Sequence, residues 1–206
     1  MKILGVLNQK GGVGKTTLST CLSVAFEEDN KKVALIDLDP QATACFWSDT
    51  RNKNTPAVVS IQPVRLKSMI NAARDANTDI VIIDGAAIQK EIAYDVAQFA
   101  DYIIIPTKTA VFDVTSMQET VKIIKKNNVP YSIILNMVSP SGQEIDDFKK
   151  MTSDLNIPLC NTSIGNRKDF FRAQNMGLAV QEYDREGKGA EEIIQVYKYI
   201  IKQLYT

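Results

Sequence analysis

The chain has 206 residues, enough for one domain with a proper core, and its 45% hydrophobic and 23% charged content is that of an ordinary globular protein. Its 24 basic and 24 acidic side chains cancel, so any nucleic-acid binding has to come from a local patch or from paired subunits rather than from a global positive field. Histidine is absent, which excludes histidine-ligated metals, Ser-His-Asp triads and histidine general bases, and the three scattered cysteines indicate no disulfide framework and a reducing cytoplasm.

Ile3-Leu4-Gly5-Val6-Leu7 is an apolar run that predicts a buried strand at the very start, leaving no room for a signal peptide. Asn8-Gln9-Lys10-Gly11-Gly12-Val13-Gly14-Lys15-Thr16-Thr17 follows, and then Leu18, Cys21, Leu22, Ala25 and Phe26 share one helical face, with Cys21 read as a small core residue. Strand, glycine-rich turn and helix are the setting a phosphate-binding loop requires. The glycines let successive N–H groups of Gly11, Gly12, Val13, Gly14 and the first helical residues through Thr17 turn inward on an anion, and the helix N-terminus adds partial positive charge. Lys15 can reach the terminal phosphates and the Thr16 hydroxyl can ligate Mg²⁺.

Further along, Val33–Ile36 ends at Asp37, Ile80–Ile83 at Asp84, Tyr102–Ile105 at Pro106 and Ile133–Leu135 at Asn136. Such β-branched runs without polar alternation are strands covered on both faces; Val58–Ile61 and Ile157–Leu159 are shorter candidates. Helical stripes lie between them: Leu66, Met69, Ile70 and Ala73; Ile88, Ile92, Val96 and Phe99; Val114, Met117, Val121 and Ile124; and Ile193, Tyr197, Ile200, Ile201 and Leu204. The stretch 183–189 reads as a surface loop before the last helix. Repeated βα units predict a single α/β domain over 1–206, a doubly wound, mostly parallel sheet with helices on both faces. Asn8, Asp37, Asp84, Pro106 and Asn136 should then crowd one rim with the phosphate loop, beyond the carboxyl ends of the strands.

Gln9 stands where the ordinary phosphate-loop pattern has its first glycine, and Lys10 precedes the double glycine. K-G-G-x-G-K-[ST] resembles the deviant Walker A motif of the ParA/MinD ATPases, and Asp37-Leu38-Asp39-Pro40-Gln41 resembles that family's D-x-D-P-Q segment. The resemblance implies a P-loop NTPase-like fold, ATP and Mg²⁺ as ligands, and a homodimer in which Lys10 crosses to the partner's nucleotide. It implies catalytic roles for Lys10 and Lys15 on phosphate, and for Asp39 in orienting or activating the attacking water, with Asp37 supporting the metal shell. Ile80 to Asp84 matches a Walker B strand, and because Mg²⁺ keeps several of its waters, Asp84 is expected to hold metal-bound water. The Gly85-Ala86-Ala87 continuation departs from the Thr-Pro-Pro or Ser-Pro-Pro of many members.

In the family, Asn136 stands where an adenine-contacting residue is common, and an amide can pair with the adenine N6/N7 edge. Basic residues of the C-terminal third form a nonspecific DNA surface in DNA-binding relatives, which points to Arg167, Lys168, Arg172 and Lys188 here. The chain most resembles short ParA partition ATPases, which lack a helix-turn-helix arm. That implies nonspecific duplex DNA, a centromere-binding ParB-like adaptor that stimulates hydrolysis, and a cytoplasmic protein that associates with the nucleoid when ATP-bound. MinD-like membrane cycling and positioning of protein cargo are the alternatives. Docking on the sheet explains the apolar stripe of the last helix more simply than membrane attachment does, because its polar face sets Lys198 and Lys202 against Glu191 and Glu192.

Overall fold

The computed structural model describes residues 1–85, 90–139 and 143–205. Six strands among them form one sheet in the order β3-β2-β4-β1-β5-β6, with β1 at Lys2–Val6, β2 at Val33–Asp37, β3 at Ala57–Ser60, β4 at Ile80–Asp84, β5 at Tyr102–Thr107 and β6 at Tyr131–Leu135. Every pairing is parallel. The described helices are α1 at Lys15–Glu28, α2 at Thr43–Thr50, α3 at Leu66–Asp75, α4 at Lys90–Ala97, α5 at Val111–Lys126, α6 at Glu144–Asp154, α7 at Lys168–Asn175, α8 at Val180–Tyr183 and α9 at Lys188–Tyr205.

The uninterrupted apolar strands have a two-faced explanation. Successive residues of β4 point to opposite sides, so Ile80 and Ile82 pack with Leu18, Leu22 and Ile193 under α1 and α9, while Val81 and Ile83 pack with Ile70, Ile92 and Val121 under α3, α4 and α5. All four are fully buried, each contributing roughly 1.5–3 kcal/mol relative to an exposed side chain. Cys21 is buried with them, and burial pushes its thiol up to about 12. The apolar face of α9 is accordingly spent on the sheet: Ile193, Val196, Ile200 and Leu204 are all buried. No helix of the described residues is long and apolar enough to cross a membrane.

The chain leaves β1 through α1 toward the β3 edge and later passes from β4 across β1 to β5. The carboxyl end of β1 is therefore a topological switch point, where a crevice opens in such sheets.

Some boundaries differ from the sequence reading. Pro106 does not end its strand, because β5 continues to Thr107 with Pro106 opposite Ile134. Its carbonyl faces beyond the last β1–β5 pair, and its nitrogen with it, so no ladder hydrogen bond is lost. The expected strand at 157–159 is only an isolated bridge, Ile133 to Leu159. Pro158 accepts from Ile133 N but has no N–H to continue a ladder. The third strand is Ala57–Ser60, one residue earlier than expected, and the loop before α9 shortens to 184–187 because α8 takes in Tyr183 and α9 takes in Lys188 and Gly189. Helices α2, α6 and α8 were not among the expected stripes; α2 and α8 are short, whereas Ile145, Phe148 and Met151 of α6 form a stripe that packs on the core. Ile88 lies outside the described residues, whereas Ile92 and Val96 of the same stripe are buried in α4.

One buried ion cluster ties α2 to α8. Arg51, at the C-terminal end of α2, donates through both terminal nitrogens to the Glu182 carboxylate at 2.8 and 2.9 Å, lies over the Trp47 ring, and also donates to Gly177 O. Burial raises the Glu182 carboxyl, but hydrogen bonds from Arg51, Lys53 and Ala179 N outweigh it and bring it down to about 2. A depressed carboxyl contributes stability above its unfolded pKa and loses it as pH falls toward the folded value. Between about pH 4.5 and pH 2 the protein should lose on the order of 2–3 kcal/mol from this group, and Glu182→Gln should flatten that part of a urea-denaturation pH profile.

Candidate phosphate-binding site

The loop between β1 and α1 turns through two left-handed glycines, Gly12 at φ +70° and Gly14 at φ +86°. Gly14 is required twice over: a Cβ there would also lie 2.3 Å from Asn136 Nδ2. Gly14 caps α1, and its carbonyl accepts the first helical bond from Leu18 N. The cap offers no side-chain acceptor and the first turn has no acidic residue, so the free N–H groups are left for an external anion. Lys15 is buried at this helix start, and its Nζ donates to the Lys10 carbonyl at 3.0 Å. Burial lowers the Lys15 ammonium, and the charges of Asp84 and Asp39 oppose that shift.

Two carboxylates, Asp84 and Asp39, act on Lys15 across the rim, with Asp37 beside them. The register sets Asp84 level with Val6 on one side and with Asp37 on the other. Asp84 is fully buried, and neither carboxylate oxygen makes a well-formed hydrogen bond among the described residues, although the Thr16 and Ser19 hydroxyls lie close enough to hold its pKa down. Burial pushes its carboxyl up to about 7, with the Asp37 charge adding to the rise and the Thr16 hydroxyl and Lys15 opposing it. Asp37 is engaged at both oxygens, accepting from Asp39 N at 2.8 Å and from Ala44 N at 2.9 Å, which fixes the 37–41 turn and caps α2. Burial raises its carboxyl despite these bonds. Asp39 is half-buried at the rim, its Oδ1 accepting from Gln41 N. An orphaned buried carboxylate beside the Thr16 hydroxyl, with excess negative charge around it, suits a hydrated divalent cation, so the residues present fit Mg²⁺.

The first half of the loop rests on α5. Asn8 Nδ2 donates to Pro106 O at 2.8 Å, while its Oδ1 accepts from Lys10 N and from the Ser116 hydroxyl, both at 2.9 Å. Gln9 N donates to Thr120 Oγ1, and Lys10 Nζ sits 2.9 Å from the buried Asp113 carboxylate. Asp113, Ser116 and Thr120 share one face of α5, the i, i+3, i+7 spacing of a helix stripe. This polar stripe lies beside the apolar one of Val114, Met117, Val121 and Ile124, and the same helical spacing in the sequence marks it.

Asn136 is brought to the loop, but as a brace. Its Nδ2 donates to Val13 O at 2.7 Å and its Oδ1 accepts from Met137 N at 3.0 Å. Beside it opens a cavity of about 300 Å³, with Thr17, Met137, Phe170 and Gln174 among its walls. Arg167, another wall, is held by Glu192 through Nε at 3.0 Å and through a second guanidinium nitrogen, and Arg172 pairs with Asp169. Lys168 and Lys188 are exposed and make no ion pair among the described residues. The basic set thus divides into two internally neutralised arginines and two open lysines. Ala86 and Ala87, the variation after Asp84, lie outside the described residues. Gly85 has a steric reason, since a Cβ there would lie 2.4 Å from Leu7 Cδ2.

The family model of the CobQ/CobB/MinD/ParA nucleotide-binding domain matches residues 4–180, from β1 through the phosphate loop, both acidic strand ends and Asn136 into α8. The chain belongs to this family. It is similar to the maintenance of carboxysome distribution protein A of Halothiobacillus neapolitanus, 27% identical over 96% of this chain and 95% of that protein. It is also similar to the sporulation initiation inhibitor protein Soj of Bacillus subtilis, 25% identical over 97% of this chain and 98% of that protein. In fold it matches the septum site-determining protein MinD of Pyrococcus horikoshii, solved with Mg-ADP, at a TM-score of 0.83 and 20% identity, covering 98% and 96% of the two chains. The fold expected from the sequence, a P-loop NTPase-like sheet wound on both faces, is the one observed, and it is wholly parallel.

A carboxyl raised by the fold costs stability once the unfolded chain can ionise it. The ligand-free protein should therefore lose thermal stability as pH rises from about 4 to about 7, the window set by Asp84. Asp84→Asn should remove most of that slope and raise the melting temperature at pH 7, while abolishing the extra stabilisation that Mg²⁺ adds to bound nucleotide. A differential scanning fluorimetry series over pH, with and without Mg²⁺, reads both effects.

Proposed function

We infer that this chain is a ParA-type positioning ATPase that binds ATP with Mg²⁺, dimerises around it and hydrolyses it on contact with an adaptor protein. The observation that carries the reading is the combination of a glycine cradle at an uncapped helix N-terminus with an orphaned Asp84 carboxylate one strand away. Gly11 through Thr17 supply N–H donors to the phosphates, and Lys15 leaves the Lys10 carbonyl to pair with them. Thr16 and Asp84 hold the hydrated cation, with Asp37 behind them fixing the 37–41 turn. Mg²⁺ supplies charge neutralisation on the phosphate oxygens. Asp39, on that fixed turn, orients the attacking water. The cavity beside Met137 and Phe170 takes the base, and Asn136 reports its presence to Val13 and the loop.

Asp84 and Asp39 against one lysine, with Asp37 beside them, leave each site short of positive charge for a triphosphate, and the partner's Lys10 would add stabilisation across an ATP sandwich. The dimer then binds duplex DNA without sequence preference through Lys168 and Lys188, with Arg167 and Arg172 shaping the surface. It is cytoplasmic and rests on the nucleoid until an adaptor triggers hydrolysis. A ParB-like centromere-binding adaptor makes a plasmid the cargo. A protein-body adaptor makes a compartment the cargo, and the near full-length similarity to a carboxysome distribution protein favours this second arrangement.

Lys15→Ala should abolish nucleotide binding in calorimetry while the protein stays folded; unchanged affinity would refute the assignment. In an Asp39→Ala background that slows turnover, light scattering should show an ATP-dependent dimer that Lys10→Ala prevents without loss of nucleotide. A dimer that ignores Lys10 would remove the cross-interface role.

Lys168→Glu with Lys188→Glu should weaken DNA binding by the ATP dimer and reduce its salt dependence, with ATPase unchanged. Arg167 is a poor test residue, since its loss also strands Glu192. If the ATP dimer ignores DNA at low salt but sediments with anionic vesicles, membrane cycling is the better reading.

A further inference from the structure

Two contacts restrain Lys10, and neither involves nucleotide. Its ammonium pairs at 2.9 Å with Asp113, whose side chain is only 3% exposed, and its carbonyl accepts the Lys15 ammonium at 3.0 Å. The backbone around it is held as well, with Lys10 N on Asn8 Oδ1, Asn8 on Ser116, and Gln9 N on Thr120. A lysine meant to reach another subunit is thus docked on its own α5.

We propose that Asp113 is a positioning residue that latches Lys10 in the monomer, so that dimerisation proceeds only when phosphate draws Lys15 off the Lys10 carbonyl and compensates the broken Lys10–Asp113 pair. This rests on the reading above that Lys10 acts across an ATP dimer.

The energetics follow from burial. Asp113 lies under the loop with its main chain fixed by Asp113 N to Ala110 O. Withdrawing Lys10 leaves a buried carboxylate without its cation, an arrangement that is strongly unfavourable. Lys10 gains little by leaving for water, where it would also be solvated, so the exchange becomes favourable only against a phosphate cluster. The Lys15 contact makes the latch responsive. Lys15 is the residue that reaches phosphate first, and while it is held by the Lys10 carbonyl the two lysines report on each other. Phosphate arrival removes one restraint directly and supplies the partner-side destination for the other. A ligand shifts such an equilibrium only by its differential interaction with the two states, and a γ-phosphate near the interface supplies that difference where a diphosphate does not.

The test uses the full-length chain in the Asp39→Ala background, titrated with ATP and with ADP, and read by light scattering or analytical ultracentrifugation. Asp113→Asn keeps the shape and removes the charge. It should lower the ATP concentration for half-maximal dimer by about tenfold and allow some dimer with ADP, while nucleotide affinity of the monomer stays near that of the parent. Asp113→Glu, which restores a carboxylate, should return toward the parent value. A residue that merely supports the fold would move dimerisation the other way or not at all.

An Asp113→Asn protein that needs as much ATP as the parent, or more, overturns the latch, provided Lys10→Ala remains monomeric beside it. If Lys10→Ala dimerises like the parent, the cross-interface reading itself fails and the latch with it. Asp113→Ala carries the same expectation and the same overturning result should Asp113→Asn fail to fold by circular dichroism.

Discussion

The site is organised around a carboxyl group that the fold buries without an ion pair among the described residues. Asp84 ends a central strand whose other side chains are wholly apolar, and its carboxylate makes no ion pair or well-formed hydrogen bond among the described residues, with the Thr16 and Ser19 hydroxyls and Lys15 nearby. Such a group is tolerated in a core by taking up a proton, as its raised pKa allows, or by gaining a cation. Thr16, Ser19 and Lys15 temper its raised pKa and the Asp37 charge sharpens it, so the group suits a hydrated cation.

The sheet makes this arrangement possible. Parallel pairing brings every strand's carboxyl end to one rim, and the order β2-β4-β1-β5 sets the Asp37 turn, Asp84, the phosphate loop and Pro106 side by side. Because both faces are sealed by helices, the rim is where polar groups can be displayed without exposing the core. The ladder also extends past the strands in single bonds, Leu7 N to Ile104 O, Leu38 N to Asp84 O and Gly85 N to Val6 O, so the functional turns inherit the rigidity of the sheet.

The phosphate loop is supported from two directions that differ in character. On one side Asn136 fills the space that a Cβ on Gly14 would occupy and bonds the Val13 carbonyl, joining the loop to the cavity beside α7. On the other, the polar stripe of α5 holds Asn8, Gln9 and Lys10. The first support links the loop to a base-sized space; the second links it to the lysine that distinguishes this family's loop from the ordinary pattern.

Much of this was legible in the chain itself. Residues 8–17 determine the turn because left-handed glycines and a helix start are local properties, and the β-branched runs determine a two-sided parallel sheet because burial on both faces leaves no polar alternation to read. Asp37, Asp39 and Asp84 were placed at the rim by their position after those runs. Only the tertiary structure decided how these side chains are spent. Asn136 proved to brace the loop, Arg167 to be held by Glu192 and Lys10 by Asp113, because each of those partners lies 25 to 123 residues away and no local pattern ties them together. Helices α2 and α8 were missed for a related reason: they are short, and they hold their shape through capping by Asp37 and through Arg51 bound to Glu182, whereas the Ile145, Phe148 and Met151 stripe of α6 was there to be read. Local periodicity fixes which segments are buried; which distant charge a buried or half-buried polar group finds is set only when the sheet has brought the two together.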